Sequence, residues 1–105
     1  MVKPRRRFEQ ELVELEQLIL RMGAISEDML SRMIQALKER NTELAEETVR
    51  MDDQVDALNL EIETICIKLI ATQQPQARDL RRIIAALKIA GDVERVADYA
   101  VDICL

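Results

Sequence analysis

The chain has 105 residues and a formal net charge of −5, from 20 acidic and 15 basic side chains. That length argues for one domain, and the acidic balance argues against a general nucleic-acid binder, which would lean the other way. Hydrophobic residues make up 49% of the chain, Gly and Pro number two each, and there is no Trp and no His. Strong helix formers dominate, and the lack of His excludes Ser-His-Asp and Cys-His catalysis and the His-based zinc motifs.

In chain order, the first periodic segment runs from about Arg5 to Arg40, with the apolar line Phe8, Leu12, Leu15, Ile19, Met22, Met29, Met33, Leu37. Alternating steps of three and four are those of one helix face. Gly23 weakens this helix by about 1 kcal/mol relative to Ala, and Ser26 interrupts the line. Asn41-Thr42 ends the segment, and either residue can cap the next helix.

The second segment runs from about Glu43 to Thr72 along Leu44, Met51, Val55, Leu58, Ile62, Ile65 and Leu69. After Thr72-Gln73-Gln74, Pro75 suits the first turn of a third helix, where its missing N–H costs nothing. The third segment runs from Pro75 to the end along Leu80, Ile84, Leu87 and Gly91. Short connections force neighbouring helices antiparallel. The expectation is an all-α, up-down-up antiparallel three-helix bundle, a spectrin-like arrangement, with Leu15, Ile19, Met22, Val55, Leu58, Ile62, Ile65, Leu80, Ile84 and Leu87 in its core. The pattern is still helical at Leu105, which reads as a fragment or one repeat of something larger.

Cys66 and Cys104 sit among aliphatic residues with no CxxC pairing, as small buried hydrophobes in a reducing compartment would. No signal peptide and no membrane span is discernible, so a cytoplasmic protein is expected. The basic run Lys3, Arg5, Arg6, Arg7 reads as a solvated tail.

The anomaly lies in the third helix. At 100° per residue, Glu94 and Asp98 fall in the sector that Leu80, Ile83, Ile84, Leu87 and Ala90 define, with Asp102 near its edge. Carboxylates four apart repel, and burying them unpaired is costly. An Arg or Lys neighbour, protonation or a metal ion must neutralise them. The second helix carries Asp52 and Asp56 at the same spacing, with Asp53 beside them and Glu63 further along the flank. Antiparallel packing sets the start of helix two beside the end of helix three, which lets the two pairs meet. Oxygen donors alone suit hard or borderline cations such as Mg, Mn, Fe or Ca rather than structural zinc. The alternative is a solvated acidic face, and Asp52/Asp56 by themselves fit it readily.

Three stretches resemble one family. Gln74-Pro75-Gln76-Ala77-Arg78-Asp79-Leu80-Arg81 resembles the QPxAxDLR opening of the third helix in a PhoU repeat. Gly91-Asp92-Val93-Glu94-Arg95-Val96-Ala97-Asp98 resembles its D-hydrophobic-ER-hydrophobic-G-D signature, and Asp52-Asp53-Gln54-Val55-Asp56 its DxxVD element. The resemblance covers essentially residues 1–105 as one three-helix PhoU-like repeat, half of the usual tandem pair. It departs where Ala97 replaces Gly and Tyr99 replaces His.

The resemblance implies a regulator, not an enzyme, that down-regulates phosphate uptake by contacting the ATPase of the phosphate ABC transporter and a phosphate-sensing histidine kinase. It also implies multinuclear metal binding at E/DxxxD motifs, here Asp52, Asp56, Glu94 and Asp98. Iron is the leading ion, and Mn, Mg and Zn are alternatives. Arg95 and Arg81 are expected to contact partners. A lone repeat exposes apolar surface, so a homodimer is expected. Two other readings compete: a carboxylate-rich metalloenzyme, and a helical adaptor whose acids are merely solvated.

Overall fold

The structure, a computed structural model, describes residues 4–103. Lys3 and Cys104 of the sequence expectations lie outside the described residues, as do the side chains of Arg5 and Arg6. Three helices follow one another: α1 (Pro4–Glu39), α2 (Thr42–Gln73) and α3 (Ala77–Ile103). Each packs on both others, in a rod of 55 × 24 × 15 Å. There is no strand among the described residues. The chain is the all-α three-helix bundle that the periodicity predicts.

Both connections are built from specific end chemistry. At the end of α1, Arg40 takes a left-handed φ of 53°. The N–H of Asn41 then reaches the Ala36 carbonyl at 2.9 Å, and that of Arg40 reaches Leu37 at 3.4 Å. These two bonds satisfy carbonyls that the helix end leaves open. Asn41 also starts α2, its Oδ1 accepting the Leu44 N–H at 3.1 Å. At the other end, Gln74 is left-handed with φ 45°. Pro75 lies before the helix rather than in its first turn, because α3 begins at Ala77 and the Leu80 N–H bonds the Gln76 carbonyl at 2.9 Å.

The predicted lines hold in α1 and α2 with local shifts. Phe8, Leu12, Leu15, Met22, Met29 and Met33 are buried, and Ser26 continues the same face instead of breaking it. Ile19 is half-buried against the core, and Leu37 is 64% exposed, with Ala36 taking the inward position. In α2, Val55, Leu58, Ile62 and Leu69 are buried, joined by Thr48 and Cys66, while Ile65 packs at the margin. The Cys66 thiol is free and buried.

The expected line of α3 is wrong by about one residue. Its inward face is Asp79, Ile83, Ala86, Ala90, Ala97 and Ala100. Ile84 is 52% exposed, Leu80 and Leu87 are half-buried, and Gly91 is exposed. Small alanines let three helices approach closely along this seam, and the bulkier Leu80, Ile84 and Leu87 fall on its flank.

Arg82 fixes the parallel register of α1 and α3. Its Nη1 donates to both carboxylate oxygens of Glu9 at 3.2 and 3.3 Å, and its Nη2 to Glu16 Oε1 at 2.9 Å. Glu9 and Glu16 are seven residues apart on one side of α1, so one planar guanidinium spans two turns.

Replacing Asn41 with Ala removes the α2 cap and leaves the Leu44 N–H to water. Loss of about 1 kcal/mol is expected, a fall in Tm of roughly 4–8 °C for a chain of this size. Thermal unfolding followed by circular dichroism checks it, and an unchanged Tm would show that Asn41 contributes nothing as a cap.

Candidate functional site

The acids of α2 and α3 meet along one edge of the bundle. α2 runs down as α3 runs up, so the start of α2 lies beside the end of α3. Asp52 and Asp56 lie on the α2 side of this seam and Glu94 and Asp98 on the α3 side, and Asp56 and Asp98 raise the pKa of others in the group. The Asp52 carboxyl is pushed up first by burial, then by Asp56, Asp98 and Asp53. Asp56 is pushed up by burial, then by Asp98 and Asp53. Glu94 is pushed up by burial, then by Asp56 and Asp98, with a smaller contribution from Glu63, while a hydrogen bond from Asn59 pulls it back. The charges of α2 and α3 are thus felt across the seam, Asp98 acting on Asp52 and Asp56, and Asp56 on Glu94.

The reason they are unusual differs from the one expected. Glu94 and Asp98 do not interrupt the core face, because that face is the alanine seam. Glu94 is half-buried on its flank and Asp98 is exposed. Asp52 is half-buried, and Asp56, Asp53, Glu63 and Asp102 are exposed. None of Asp52, Asp56, Glu94 and Asp98 forms an ion pair with a described residue. One oxygen of Asp52, Oδ1, is fully occluded and has no hydrogen-bond partner.

Asn59 is the residue that sequence reasoning missed. It lies on α2 between Asp56 and Glu63, and its Nδ2 donates to Glu94 Oε2 at 2.7 Å and to Glu63 Oε1 at 3.3 Å. A neutral amide in an acidic helix gives no compositional signal. Its spacing from Asp56 and Glu63, three and four residues, was the available clue.

The donor set suits a hard cation in its chemistry. All groups are carboxylate oxygens from two facing helices, and an occluded, unpartnered oxygen stands among them. As the side chains stand, no three carboxylates among the described residues are gathered tightly enough to hold an ion.

The two predicted partner residues lie on the outward face of α3. Arg81 and Arg95 are exposed, and Arg95 sits 3.9 Å from Asp92. Lys88, midway between them, is exposed too. At seven-residue steps the three cations form a row along one helix face. Tyr99, 58% exposed, continues it. A separate cleft of about 530 Å³ opens at the far end of the bundle, lined by Phe8, Gln74, Pro75 and Arg78, and contains none of the four acids.

Elevated carboxyl pKa values have a definite sign in stability. The folded protein holds these protons more tightly than the unfolded chain. The contribution of Asp52, Asp56 and Glu94 is fully present below the ordinary carboxylate range and is lost as pH rises through their elevated values. Metal-free protein carrying Asp56→Asn is expected to gain roughly 0.5 kcal/mol at pH 7, because one repelling charge is gone and solvent screens the rest. Thermal unfolding in chelator, from the ordinary carboxylate range up to neutrality, reads this as a higher Tm near neutrality and a flatter pH dependence. A lower Tm at pH 7 would mean that Asp56 is stabilising.

Comparison with known proteins gives one consistent result. A family model described as the PhoU domain matches residues 19–105. The chain is 43% identical over 96 residues to the phosphate-specific transport system accessory protein PhoU homolog of Zymomonas mobilis, covering 91% of this chain and 40% of that one. It is 40% identical over 93 residues to the homolog of Aquifex aeolicus, covering 89% and 42%. It is 43% identical over 100 residues to that of Clostridium acetobutylicum, covering 94% and 46%. The chain thus spans less than half the length of these curated relatives.

Proposed function

Because this chain belongs to the PhoU family, we propose that it is a regulatory module of phosphate transport whose α2–α3 acidic edge binds metal ions. The phosphate assignment rests on relatives that are named accessory proteins of the phosphate-specific transport system. The metal assignment rests on one observation above others: Asp52 Oδ1 is occluded and unpartnered among carboxylates that repel one another.

Asp52, Asp56, Glu94 and Asp98 would hold the ion or ions, with Fe first and Mn or Mg next. A bound cation supplies positive charge that turns repulsion into coordination. The acids of α2 and α3 would then tie the two helices together at that end. Zn is the poorest match, since structural zinc takes Cys and His. The row Arg81, Lys88, Arg95 supports a contact between the outer face of α3 and an acidic surface of the transporter ATPase or of the phosphate-sensing kinase. Large apolar side chains exposed on α1 and α3, among them Leu20 at 73%, support a homodimer. No helix among the described residues is long and apolar enough to cross a membrane, which agrees with a cytoplasmic protein that reaches the membrane only through partners. The reading is regulatory, not enzymatic: with no His in the chain, the commonest general base is missing.

The competing reading is a helical adaptor with solvated acids, and the exposure of Asp56 and Asp98 favours it. Thermal unfolding with and without Fe, Mn or Mg separates the two. A site binding at a hundred times its Kd adds about 2.7 kcal/mol, so wild-type protein should gain several degrees. Glu94→Ala/Asp98→Ala should gain none. A wild type indifferent to every metal, or a double mutant that responds equally, would return the acids to solvent.

A further inference from the structure

We propose that a second copy of this chain docks on the flank where α1 and α3 lie side by side, with the twofold axis along the bundle so that each α1 covers the partner's α3. The inference rests on the homodimer reading above and gives it a surface and an orientation.

Arg82 locates the flank. Its bonds to Glu9 and Glu16 put those acids on the side of α1 that meets α3, and put Arg82 on the side of α3 that meets α1. Steps of seven residues return a helix to nearly the same face. On α3, the row that Arg82 begins continues as Ile89, Val96 and Ile103, all exposed. On α1, the next row outward from Glu9 and Glu16 holds Val13, Leu20 and Ile34, also exposed, with Glu27 in its one polar place. Leu37 and Ile103 line a common hollow at the end of the flank, so the rows of the two helices border one surface. Most of the large apolar side chains exposed among the described residues fall here. Contiguous exposed apolar surface marks an interaction site, whereas scattered single residues do not.

Size and charge select the occupant. The rod is 55 Å long and 15 Å across at its narrowest, so even its narrowest side reaches the roughly 800 Å² that each partner buries in a stable interface. A short peptide would leave much of the two rows in water. Arg81, Lys88 and Arg95 outnumber Asp92 on the α3 border of the flank. Glu14, Glu27 and Asp28 outnumber Arg21 on its α1 side. A twofold axis along the bundle lays α1 on the partner's α3 and brings acids to cations. Turning the second copy end for end would lay α1 on α1 and α3 on α3, like charge on like. Arg82 stands level with the stretch between Glu9 and Glu16, and the two helices run parallel, so Arg95 stands level with Glu27. No ion pair joins Glu27 and Arg95 within one chain, and the twofold sets Glu27 opposite the partner's Arg95. An acidic surface of another protein would compete with the second copy for the cationic border.

Sedimentation equilibrium over a dilution series, with circular dichroism of each variant to verify folding, tests the interface. Wild type should dimerise. Leu20→Glu and Val96→Glu, both at exposed positions that the single chain does not need for its core, should raise the dimer Kd about tenfold or more. Leu60→Glu, equally apolar and exposed but on α2, should leave it unchanged. Arg95→Glu should weaken the dimer, and Arg95→Glu/Glu27→Arg should recover part of the loss. Dimers unaffected by Leu20→Glu and Val96→Glu, or dissociated equally by Leu60→Glu, would overturn the proposed surface while leaving the homodimer standing. A double swap that dimerises more weakly than Arg95→Glu alone would overturn the orientation. A monomeric wild type would overturn the homodimer reading and this surface together.

Discussion

Along the edge where α2 meets α3, carboxylates from both helices share one seam, none of Asp52, Asp56, Glu94 and Asp98 is ion-paired with a described residue, and the neutral Asn59 amide bridges to Glu94. Folding does not favour this arrangement for its own sake. Burial first, and then the neighbouring acids, raises the cost of ionising Asp52, Asp56 and Glu94, whose pKa values are pushed upward. The cost is borne because it lies on the flank of a core that does not need those positions. Ile83, Ala90, Ala97 and Ala100 pack α3 inward, while Glu94 and Asp98 occupy the next positions round the helix.

The rest of the bundle serves to set that register. Asn41 stops α1 and starts α2 within one residue, so the connection has little slack for sliding the helices. Arg82 ties α3 to Glu9 and Glu16 of α1, fixing the third helix lengthwise. With α1 holding both neighbours, the stagger of α2 on α3 is determined, and Asn59 meets Glu94 across 35 residues of sequence. A slip of one turn would move the acids by about 5.4 Å and undo their juxtaposition. The single geometry that buries the core is the one that confronts the carboxylates.

Much of this was legible in the sequence. In α1 and α2 large aliphatic and Met side chains recur at helical spacing, and burial follows size. In α3 the same reasoning misled, since Leu80, Ile84 and Leu87 outbulk Ala86, Ala90, Ala97 and Ala100, yet the alanines form the seam. Close helix packing selects small residues, whose hydropathy is weak, so periodicity gave the wrong angle by about one residue. That error made Glu94 and Asp98 look like intruders in the core. Their spacing of four and the matching Asp52/Asp56 pair point to the edge between α2 and α3. Ser26 was legible as a break but is an inward residue with an unpartnered hydroxyl; nothing in the surrounding contacts explains why Ser rather than Ala stands there. Asn59 is hard to read from the sequence because its shorter bond is to Glu94 on another helix.

The proposed place for a hard cation is the α2–α3 edge. Substoichiometric Mn²⁺ added to isotope-labelled protein, followed by amide resonances, tests it most directly, since a paramagnetic ion broadens signals by proximity. Broadening that begins at Asp52–Asn59 and Glu94–Asp102 and spares Glu9, Glu16, Glu46 and Glu47 is the predicted result. Uniform broadening over every acidic stretch, or broadening centred away from this edge, would contradict it.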